Sequence, residues 1–373
     1  MWITSSTEAA KTPTNIALGN FDGVHLGHQR VMAQILEKPD LTGSVLDSSG
    51  LDGSDLDEAN AQAAASTKIL SAQSIAALQD SAIASGYSQL ISDLASPSSK
   101  VIATQGDLER QRYATVVTFL PHPQEYFSGV ARSLLTPTQE KTWQLAHLGI
   151  HQLVMLPFNQ AIAELGPEDF VKQILIDSLQ AQHISVGNDF RFGKGRTGTA
   201  ERLEQIAAQY HVPVTRVALR QEEGDRISSS RIRQALQTGE LAEATRLLGR
   251  PYILTGRVVR GQQIGRTIGF ATANLQVPAD KYLPRTGVYG VRVYGANLVS
   301  QQGVMNIGNR PTVGGQSLSV EVHLLDWSGD LYGQTLTVSL ETFIRPEQKF
   351  DSLTQLQEQI EKDCETARIA IAV

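Results

Sequence analysis

The sequence predicts a two-part protein, with an α/β part built on a parallel sheet followed by a small antiparallel β part. In the first two thirds, short apolar runs alternate with stretches of helical periodicity, which is the pattern of βαβ units. After about Gly249 the segments become short, β-rich and separated by Gly, Asn and Pro, which favours a barrel or a sandwich. The chain of 373 residues is also longer than one core usually serves. We therefore predict two domains, 1–249 and 250–373.

The elements of the first part follow from its apolar runs. Strands are predicted at 15–18, 114–119, 153–158, 183–187 and 212–218. Helices are predicted at 28–37, 138–148, 167–179 and 200–210, the third with a proline in its first turn. Ligands of such sheets bind beyond the carboxyl ends of the strands, where the glycine-containing loops lie.

The second part shows a different pattern. Strands are predicted at 253–260, 288–295, 301–307, 318–326 and 335–345. A final helix is predicted at 352–372, because its apolar residues recur at nearly helical spacing.

Residues 39–112 interrupt the alternation. They are rich in Ser, Ala, Asp and Gln, and 46–66 contains too few apolar residues to form a core, so that stretch is expected to be disordered. We interpret 39–112 as a low-complexity insertion into a βαβ crossover. An inert surface excursion is favoured over a partner-binding segment.

Composition excludes several classes of protein. The net charge of −6 argues against broad binding to nucleic acid. Because Cys364 is the single cysteine, an internal disulfide is excluded, which fits a reducing compartment. We interpret Cys364 as a buried packing residue rather than a nucleophile. The chain begins without the apolar core of a signal peptide, and no run reaches the roughly 18 apolar residues of a membrane span. We expect a cytoplasmic protein with no membrane association and no evident obligate protein partner.

The stretch GNFDGVHLGHQ, 19–29, is the most informative of the chain. It lies between a predicted strand and a predicted helix, whose N-terminus offers N–H groups and a positive dipole end to an anion. Its glycines, which let the backbone approach a ligand, are Gly19, Gly23 and Gly27. His25 and His28 can both donate to phosphate oxygens from one turn. The alternative is a glycine-rich turn with two surface histidines; the flanking elements favour a nucleotide triphosphate site.

Three further motifs belong to the first part. FLPHPQEYF, 119–127, places His122 between two prolines that stiffen a loop. VGNDFRFGKGRTG, 186–198, contains Asp189, two phenylalanines that can form a wall for a ring system, and several basic residues. RISSSRIR, 226–233, places serines at a helix start beside arginines; ordinary helix caps would explain the serines alone, whereas together with the other motifs they suggest a triphosphate clamp.

Three motifs mark the second part. In GRVVRGQQIGRTIGFATANL, 256–275, glycines precede Thr272 and Asn274, whose oxygens suit a hard cation, although a glycine-rich β-turn explains the pattern equally well. NIGNRPTVGG follows at 306–315. VEVHLLDWSGDLYG, 320–333, carries Glu321 in a strand, where a solvated face is the ordinary explanation.

These motifs, in this order, resemble the prokaryotic bifunctional riboflavin kinase/FMN adenylyltransferases, also called FAD synthetases, over 15–38 and 113–373. The resemblance implies a Rossmann-like nucleotidyltransferase domain followed by a small antiparallel β-barrel domain with a C-terminal helix. It implies two reactions: riboflavin and ATP give FMN, and FMN and a second ATP give FAD and pyrophosphate. Riboflavin, FMN and ATP would be the substrates.

For the first domain, the resemblance implies that His25 and His28 bind ATP phosphates and stabilise charge during attack on the α-phosphate. Other nucleotide contacts would come from Gly19, Phe21, Gly23, Gly27, Ser229, Ser230 and Arg233. Contacts to FMN would come from His122, Asp189, Phe190 and Arg196. Ser230 stands where many members have threonine and keeps the hydroxyl.

For the second domain, the resemblance implies that Thr272 and Asn274 coordinate Mg²⁺ bound to ATP and that Glu321 accepts the proton of the riboflavin 5′-hydroxyl. ATP would also contact Gly261, Gly265 and Gly269, and a loop closing near the flavin would contain Asn306, Arg310, Pro311 and Thr312. Ala271 stands where the family motif has proline, so we expect retained activity with a looser ATP loop.

Two other functions remain open. One is a nucleotidyltransferase for another phosphorylated acceptor, with the β part as a specificity module. The other is a non-enzymatic flavin-binding regulator. The histidine pair and Glu321 count against the regulator, because binding alone does not require them.

Overall fold

The structure, a computed structural model, describes residues 1–36, 112–218, 221–222, 225–261, 265, 269–295, 297–312 and 315–371. The predicted insertion at 39–112 lies outside these residues, apart from Arg112. All the described residues belong to one compact unit.

The first part of the chain forms a six-stranded parallel sheet, as predicted. The strands of this part are β1 (Trp2–Thr4), β2 (Thr14–Leu18), β3 (Tyr113–Leu120), β4 (Gln152–Pro157), β5 (Ala181–Gly187), β6 (Arg191–Phe192), β7 (Gly198–Thr199), β8 (Val214–Val217), β9 (Gln221–Glu222) and β10 (Asp225–Arg226). The sheet order is β1-β4-β3-β2-β5-β8, with every pair parallel, while β6 with β7 and β9 with β10 form separate two-stranded pairs. The central strands are almost wholly buried, as is usual for parallel strands covered on both faces.

The helices cover the sheet and one side of the second part. They are α1 (Leu26–Ala33), α2 (Pro123–Ser128), α3 (Thr138–His147), α4 (Gln160–Glu164), α5 (Pro167–Asp169), α6 (Ala200–Ala208), α7 (Ser229–Thr238), α8 (Leu241–Leu248) and α9 (Leu353–Ile371). Within the ranges given above, no helix combines the length and apolarity that a membrane crossing requires.

Two of the predicted helices differ from the observed ones. The helix predicted at 28–37 begins earlier, at Leu26, because His25 caps it, and it ends at Ala33. The helix predicted at 167–179 is α5 followed by a π-helix, Phe170–Ser178, with bonds such as Leu179 N–H to Ile174 C=O. Apolar spacing alone does not separate α from π hydrogen bonding, because both bury one side of the segment.

The second part forms a closed antiparallel barrel, which decides between the barrel and the sandwich. Its strands are β11 (Tyr252–Val259), β12 (Ala273–Gln276), β13 (Gly287–Gly295), β14 (Leu298–Thr312), β15 (Gly315–Leu324) and β16 (Thr335–Arg345). They close in the order β11-β12-β15-β14-β13-β16. The loop expected to contain Asn306, Arg310, Pro311 and Thr312 is instead the second half of β14. These residues pair with β15 in continuous register, so the prediction of a loop there was wrong.

One hydrophobic core joins the barrel to the last two helices before it. Ile232 and Leu236 of α7 and Leu247 of α8 are completely buried in the same cluster as Leu254 and Val338 of the barrel. The chain leaves α8 through Gly249, at φ 74°, and enters β11 at Tyr252. The predicted boundary at 249 and 250 therefore lies between elements that share a core.

The C-terminal helix α9 packs against the outside of the barrel. Cys364 is buried with Val288, Val304 and Leu325, and burial raises the pKa of its thiol to about 11. A thiol in this environment stays protonated at neutral pH, which agrees with a packing role.

The ion pair between Arg345 and Asp363 fixes α9 to β16. Asp363 is 2% exposed and accepts from Arg345 Nε at 2.9 Å and Nη2 at 2.7 Å. Because Asp363→Ala leaves the guanidinium without this partner, we expect it to lower the free energy of unfolding by about 3–5 kcal/mol. Urea unfolding followed by circular dichroism measures this change.

Glu365→Ala on the same helix is the matched control. Glu365 is exposed and lies 3.8 Å from Arg368, so its loss should change stability by no more than about 0.5 kcal/mol. Equal effects of the two substitutions would contradict the role given to Asp363.

Candidate functional site

The histidine loop, 19–28, runs from the end of β2 into the first turn of α1 at the carboxyl edge of the parallel sheet. Phe21 and Val24 have left-handed backbones, with φ of 50° and 44°, and both side chains are buried. Non-glycine residues held in this region carry strain and are frequent in functional loops. His25 is the N-cap of α1, and its Nδ1 accepts from the His28 N–H at 3.3 Å.

The two histidine rings are held against each other. Their centroids lie 3.6 Å apart with an angle of 15° between the planes, and the Phe21 ring meets His28 edge-on at 5.2 Å. His28 Nδ1 is buried and has no hydrogen-bond partner among the described residues. The rings are therefore fixed by packing, with hydrogen-bonding capacity left over.

Both histidines are neutral at pH 7. Burial lowers the pKa of His25 to about 4, with a further contribution from Arg250. Burial, followed by the neighbouring His25, holds the pKa of His28 well below its ordinary value. Because Nδ1 of His25 accepts a hydrogen bond, the proton of that neutral ring lies on Nε2, which can donate to a ligand.

Asp22 connects the histidine loop to two distant segments. Its carboxylate is buried; Oδ1 accepts from the Leu135 N–H at 2.8 Å, and Oδ2 accepts from Arg233 Nη2 at 2.5 Å. Its main-chain carbonyl accepts from Ser229 Oγ at 2.7 Å. The predicted clamp residues Ser229 and Arg233 are thus brought to the histidine loop through Asp22, whose role the sequence analysis missed.

Cationic side chains from separate segments surround the same loop. Lys141 Nζ donates to the Asn20 carbonyl at 2.9 Å, and Arg250 Nη2 donates to the Gly23 carbonyl at 2.8 Å. Both cations, together with Arg226, help to lower the pKa of His28. Neutral histidines among several cations form a site for a polyanion. These cations could not be found from the sequence, because none lies in the loop itself.

The residues predicted to contact FMN lie on neighbouring loops. His122 is the N-cap of α2; burial, followed by Arg132, lowers its pKa to about 4, and Asp22 and Lys141 also act on it. His122 therefore belongs to the same electrostatic environment as the histidine loop.

The loop after β5 is less closely connected to the site. Asp189 forms an ion pair with Arg226, and Phe190 stacks on Phe192 with ring centroids 5.7 Å apart. Arg196 is exposed in a short turn, and its side chain forms no hydrogen bond or ion pair with the other site residues in the described part of the chain.

An exposed aromatic group lies beside His122 and was not predicted. Phe127 is 71% exposed, and its ring packs edge-on against Tyr126 at 5.3 Å and Phe158 at 5.8 Å. The group follows the carboxyl ends of β3 and β4, where a ligand of the sheet would bind. The aromatic residues of the FLPHPQEYF motif could have indicated this group from the sequence.

The barrel brings three predicted residues into one row. Glu321 of β15 lies directly opposite Asn274 of β12 on one side and Asn306 of β14 on the other. Directly opposed residues of neighbouring strands project from the same face of a sheet, so these side chains are neighbours. All three are half-buried.

The segment that contains Gly261, Gly265 and Gly269 passes close to the row formed by Asn274, Glu321 and Asn306. A Cβ at position 261 would overlap the Asn274 side chain, and the Gly265 carbonyl accepts from the Phe270 N–H at 2.7 Å. Gly269 has φ 88°, which favours glycine. The predicted nucleotide and metal residues of the barrel therefore lie within one short stretch next to Glu321.

The Ala271 position is held by the neighbouring strand. His323 Nδ1 lies 2.9 Å from the Ala271 carbonyl, and the His323 ring meets Phe270 edge-on at 5.3 Å. The segment leading into Thr272 is thus tied to β15 without the proline of the family motif. Arg310, Pro311 and Thr312 lie farther along β14, and their side chains are outside the described set.

Two family models match the chain. A riboflavin kinase model matches residues 248–371, and a FAD synthetase model matches residues 7–45 and 99–231. The first covers the barrel with α9, and the second includes the histidine loop and the carboxyl edge of the parallel sheet.

Curated relatives of the chain are named for both activities. The chain is 43% identical over 255 residues to the bifunctional riboflavin kinase/FMN adenylyltransferase of Escherichia coli strain K12, covering 68% of this chain and 81% of the relative. It is 32% identical over 354 residues to the protein of the same name from Haemophilus influenzae, covering 95% and 92%.

A solved structure shares the fold. A crystal structure of a Streptococcus pneumoniae protein described as a macrolide-efflux protein matches with a TM-score of 0.70 and 26% identity, covering 98% of both chains.

The depressed pKa of His25 predicts a pH-dependent stability. Between pH 4 and 6.5 the unfolded chain binds a proton at His25 that the folded chain does not, so stability is lost as the pH falls through this range. His25→Asn keeps a cap oxygen and removes the titration. We expect the variant to lose about 2 kcal/mol less than the parent between pH 7 and 5 in urea unfolding.

His147→Gln, at an exposed histidine of α3, is the control and should keep the parent's pH dependence. An unchanged pH dependence in His25→Asn would show that folding does not lower the pKa of His25.

Proposed function

The chain belongs to the bifunctional riboflavin kinase/FMN adenylyltransferase family, and we propose that its two candidate sites divide the two reactions between them. The chain phosphorylates riboflavin to FMN and adenylylates FMN to FAD, using ATP in both steps. The observation that carries the assignment is the presence of two separate sites. The histidine loop lies in the region matched by the FAD synthetase model, and Glu321 lies in the region matched by the riboflavin kinase model.

The histidine loop is the proposed site of adenylyl transfer. An oxygen of the FMN phosphate attacks the α-phosphorus of ATP, and pyrophosphate leaves. His25 and His28 donate hydrogen bonds to the phosphate oxygens, and Lys141 and Arg233 neutralise the charge that spreads in the transition state. Because the attacking phosphate is already ionised, the site needs alignment and positive charge rather than a general base.

The remaining contacts of this site follow from the loops around it. At the start of α7, Ser230 offers its hydroxyl and its N–H group to the triphosphate, and Ser229 offers its N–H group while its hydroxyl donates to the Asp22 carbonyl. Gly19, Phe21, Gly23 and Gly27 shape the loop beneath the triphosphate. The flavin ring is proposed to lie against the exposed aromatic group near Phe127 and against Phe190, within reach of His122, Asp189 and Arg196.

The row around Glu321 is the proposed site of riboflavin phosphorylation. The Glu321 carboxylate accepts the proton of the riboflavin 5′-hydroxyl while the hydroxyl oxygen attacks the γ-phosphorus of ATP, and ADP leaves. The half-buried Asn274 and Asn306 orient the reacting groups from either side.

A divalent cation fits beside this row, and we propose Mg²⁺. The described residues contain no group of three His, Cys, Asp or Glu side chains that could hold a metal. Thr272 and Asn274 instead offer neutral oxygens, and the backbone at Gly261 lies so close to Asn274 that a Cβ there would overlap its side chain. Neutral oxygen ligands suit Mg²⁺ bound mainly to ATP. When bound, the cation would neutralise charge on the transferred phosphoryl group.

The Ala271 position bears on this cation site. We propose that the contact between His323 and the Ala271 carbonyl keeps Thr272 in place, so that kinase activity is retained with a somewhat looser ATP loop.

Purified protein also tests the two other functions, transfer to another acceptor and a purely binding role. Incubation with FMN, nicotinamide mononucleotide or phosphopantetheine, each with ATP and Mg²⁺, identifies the acceptor. We propose the cytoplasm as the location, with riboflavin, FMN and ATP as the substrates and no requirement for nucleic acid, membrane or a second protein.

One time course tests the whole assignment. Purified protein is incubated with riboflavin, ATP and Mg²⁺, and the flavins are resolved by chromatography. FMN that appears and then gives way to FAD supports both sites. FMN alone points to another acceptor at the histidine loop; FAD formed only from added FMN points to a disabled kinase loop at Ala271.

Glu321→Gln should lower FMN formation by at least about 100-fold, because the amide cannot accept the hydroxyl proton. FAD formation from supplied FMN should stay within about twofold. Glu358→Gln, at an exposed glutamate of α9, is the control and should leave both rates unchanged.

His28→Ala should lower FAD formation from FMN by about 100- to 1,000-fold, because a preorganised donor to the transition state is lost. FMN should then accumulate from riboflavin at the parent rate, and the exposed His147→Ala should behave as the parent. Loss of both reactions in folded His28→Ala or Glu321→Gln would contradict the separation of the two sites.

A further inference from the structure

The barrel segment 280–285, between β12 and β13, contacts the first part of the chain beside the phosphate site. The Tyr282 N–H donates to the Leu134 carbonyl at 2.8 Å, and the Leu134 N–H donates to the Asp280 carbonyl at 2.5 Å. These two main-chain bonds join the segment to the stretch just before α3. That stretch carries Leu135, whose N–H donates to Asp22.

A buried cation strengthens the same junction. Lys281 is 4% exposed, and its Nζ donates to Glu140 Oε2 at 2.5 Å and to the Leu135 carbonyl at 2.8 Å. Leu135 is therefore held by the barrel through its carbonyl and by Asp22 through its N–H. The position of Asp22 depends on a residue that the barrel fixes.

Tyr282 also contacts α7 at the residue that completes the phosphate site. The Arg233 guanidinium lies 4.8 Å from the centroid of the Tyr282 ring, and the Tyr282 hydroxyl donates to the Arg233 carbonyl at 3.3 Å. Arg233 Nη2 donates to Asp22 and to the Ser133 carbonyl. The guanidinium is thus held by hydrogen bonds at one nitrogen and by an aromatic face from the barrel.

The other end of α7 is held by the same barrel segment. The Arg285 N–H donates to the Leu236 carbonyl at 3.1 Å, and Arg285 Nη1 donates to the Thr238 carbonyl at 2.9 Å. Both carbonyls belong to the last turn of α7, where cationic donors stabilise a helix. One short segment therefore sets both the position of α7 and the orientation of Arg233 on it.

We propose that Tyr282 is a positioning residue of the adenylyl-transfer site, so that the riboflavin kinase barrel supplies part of the machinery of the other reaction. The proposal rests on the proposed role of Arg233 as a phosphate ligand. Tyr282 contacts no reacting group; it restricts the guanidinium to the orientation that faces the triphosphate. A cation held over an aromatic ring loses less freedom on binding its anion than one that must first be ordered.

The test is a comparison of KM and kcat for both reactions in Tyr282→Leu, which keeps apolar volume and removes the aromatic face. In adenylyl transfer at saturating FMN, we expect KM for ATP to rise roughly five- to tenfold. At saturating ATP, kcat should fall by less than about threefold. Riboflavin phosphorylation in the same sample should stay within about twofold and reports the folded fraction. Tyr282→Phe keeps the ring and should restore most of the parent KM.

Tyr210→Leu is the matched control. Tyr210 is also half-buried, but it packs against the core of the parallel sheet near α6. This variant should leave KM for ATP unchanged in both reactions. A parallel rise in KM for Tyr210→Leu and Tyr282→Leu would show a general loss of stability and overturn the proposal.

Arg233→Gln distinguishes the positioning role of Tyr282 from the phosphate-binding role of Arg233. If it raises KM for ATP while folded Tyr282→Leu does not, the positioning role is wrong and the assignment of the site stands. If Arg233→Gln itself leaves adenylyl transfer unchanged, the phosphate role of Arg233 is wrong and the proposal falls with it.

A second measurement covers the case in which Tyr282→Leu does not fold. Starting from Tyr282→Phe, ring-fluorinated phenylalanines incorporated at position 282 keep the size of the ring while they weaken its negative face. KM for ATP in adenylyl transfer should rise with each added fluorine. A KM that is independent of fluorination would contradict the cation–π contact as the source of the positioning.

Discussion

The buried carboxylate of Asp22 is the group on which the arrangement of the first site depends. A carboxylate with this little exposure is tolerated only when its oxygens are paired, and here one accepts a main-chain N–H while the other accepts from Arg233. The two donors, Leu135 and Arg233, come from distant segments. Their hydrogen bonds to the Asp22 carboxylate therefore hold the stretch before α3 and the start of α7 against the histidine loop. The strained backbones of Phe21 and Val24 lie on either side of this carboxylate in the chain.

In the barrel, register replaces a buried charge as the organising constraint. Side chains alternate between the two faces of a strand, so a shift of one residue would turn Glu321 away from Asn274 and Asn306. Continuous pairing along β14 and β15 and closure of the barrel prevent such a shift. The loop expected to contain Asn306 is not needed to bring it beside Glu321, because strand pairing already places it there.

The sequence predicted the α/β sheet and the second β part, and it proposed site residues where they fall in local motifs. It missed the three-residue β1 and the four-residue β12, because neither has enough length to show a period. It also missed the contributions of Asp22, Lys141 and Arg250 to the phosphate site. Their function depends on partners more than one hundred residues away, which spacing along the chain does not reveal. The aromatic group at Phe127 was visible in its motif, but its exposure was not.

The contrast between the two sites follows from the nucleophiles that we propose for them. The FMN phosphate carries negative charge before it reacts, so the site around His25 and His28 collects cations, and its histidines are neutral because burial disfavours their charged form. The riboflavin hydroxyl must lose a proton, so the barrel offers Glu321 flanked by uncharged amides, with no arginine paired to it across either neighbouring strand. The Asp22 carboxylate is poorly placed to serve as such a base, since its two oxygens already accept from the Leu135 N–H and from Arg233. In the proposed scheme, one chain therefore uses ATP in two chemistries, because a buried ion pair engages the only carboxylate of the histidine loop, while strand register presents Glu321 as a base in the barrel.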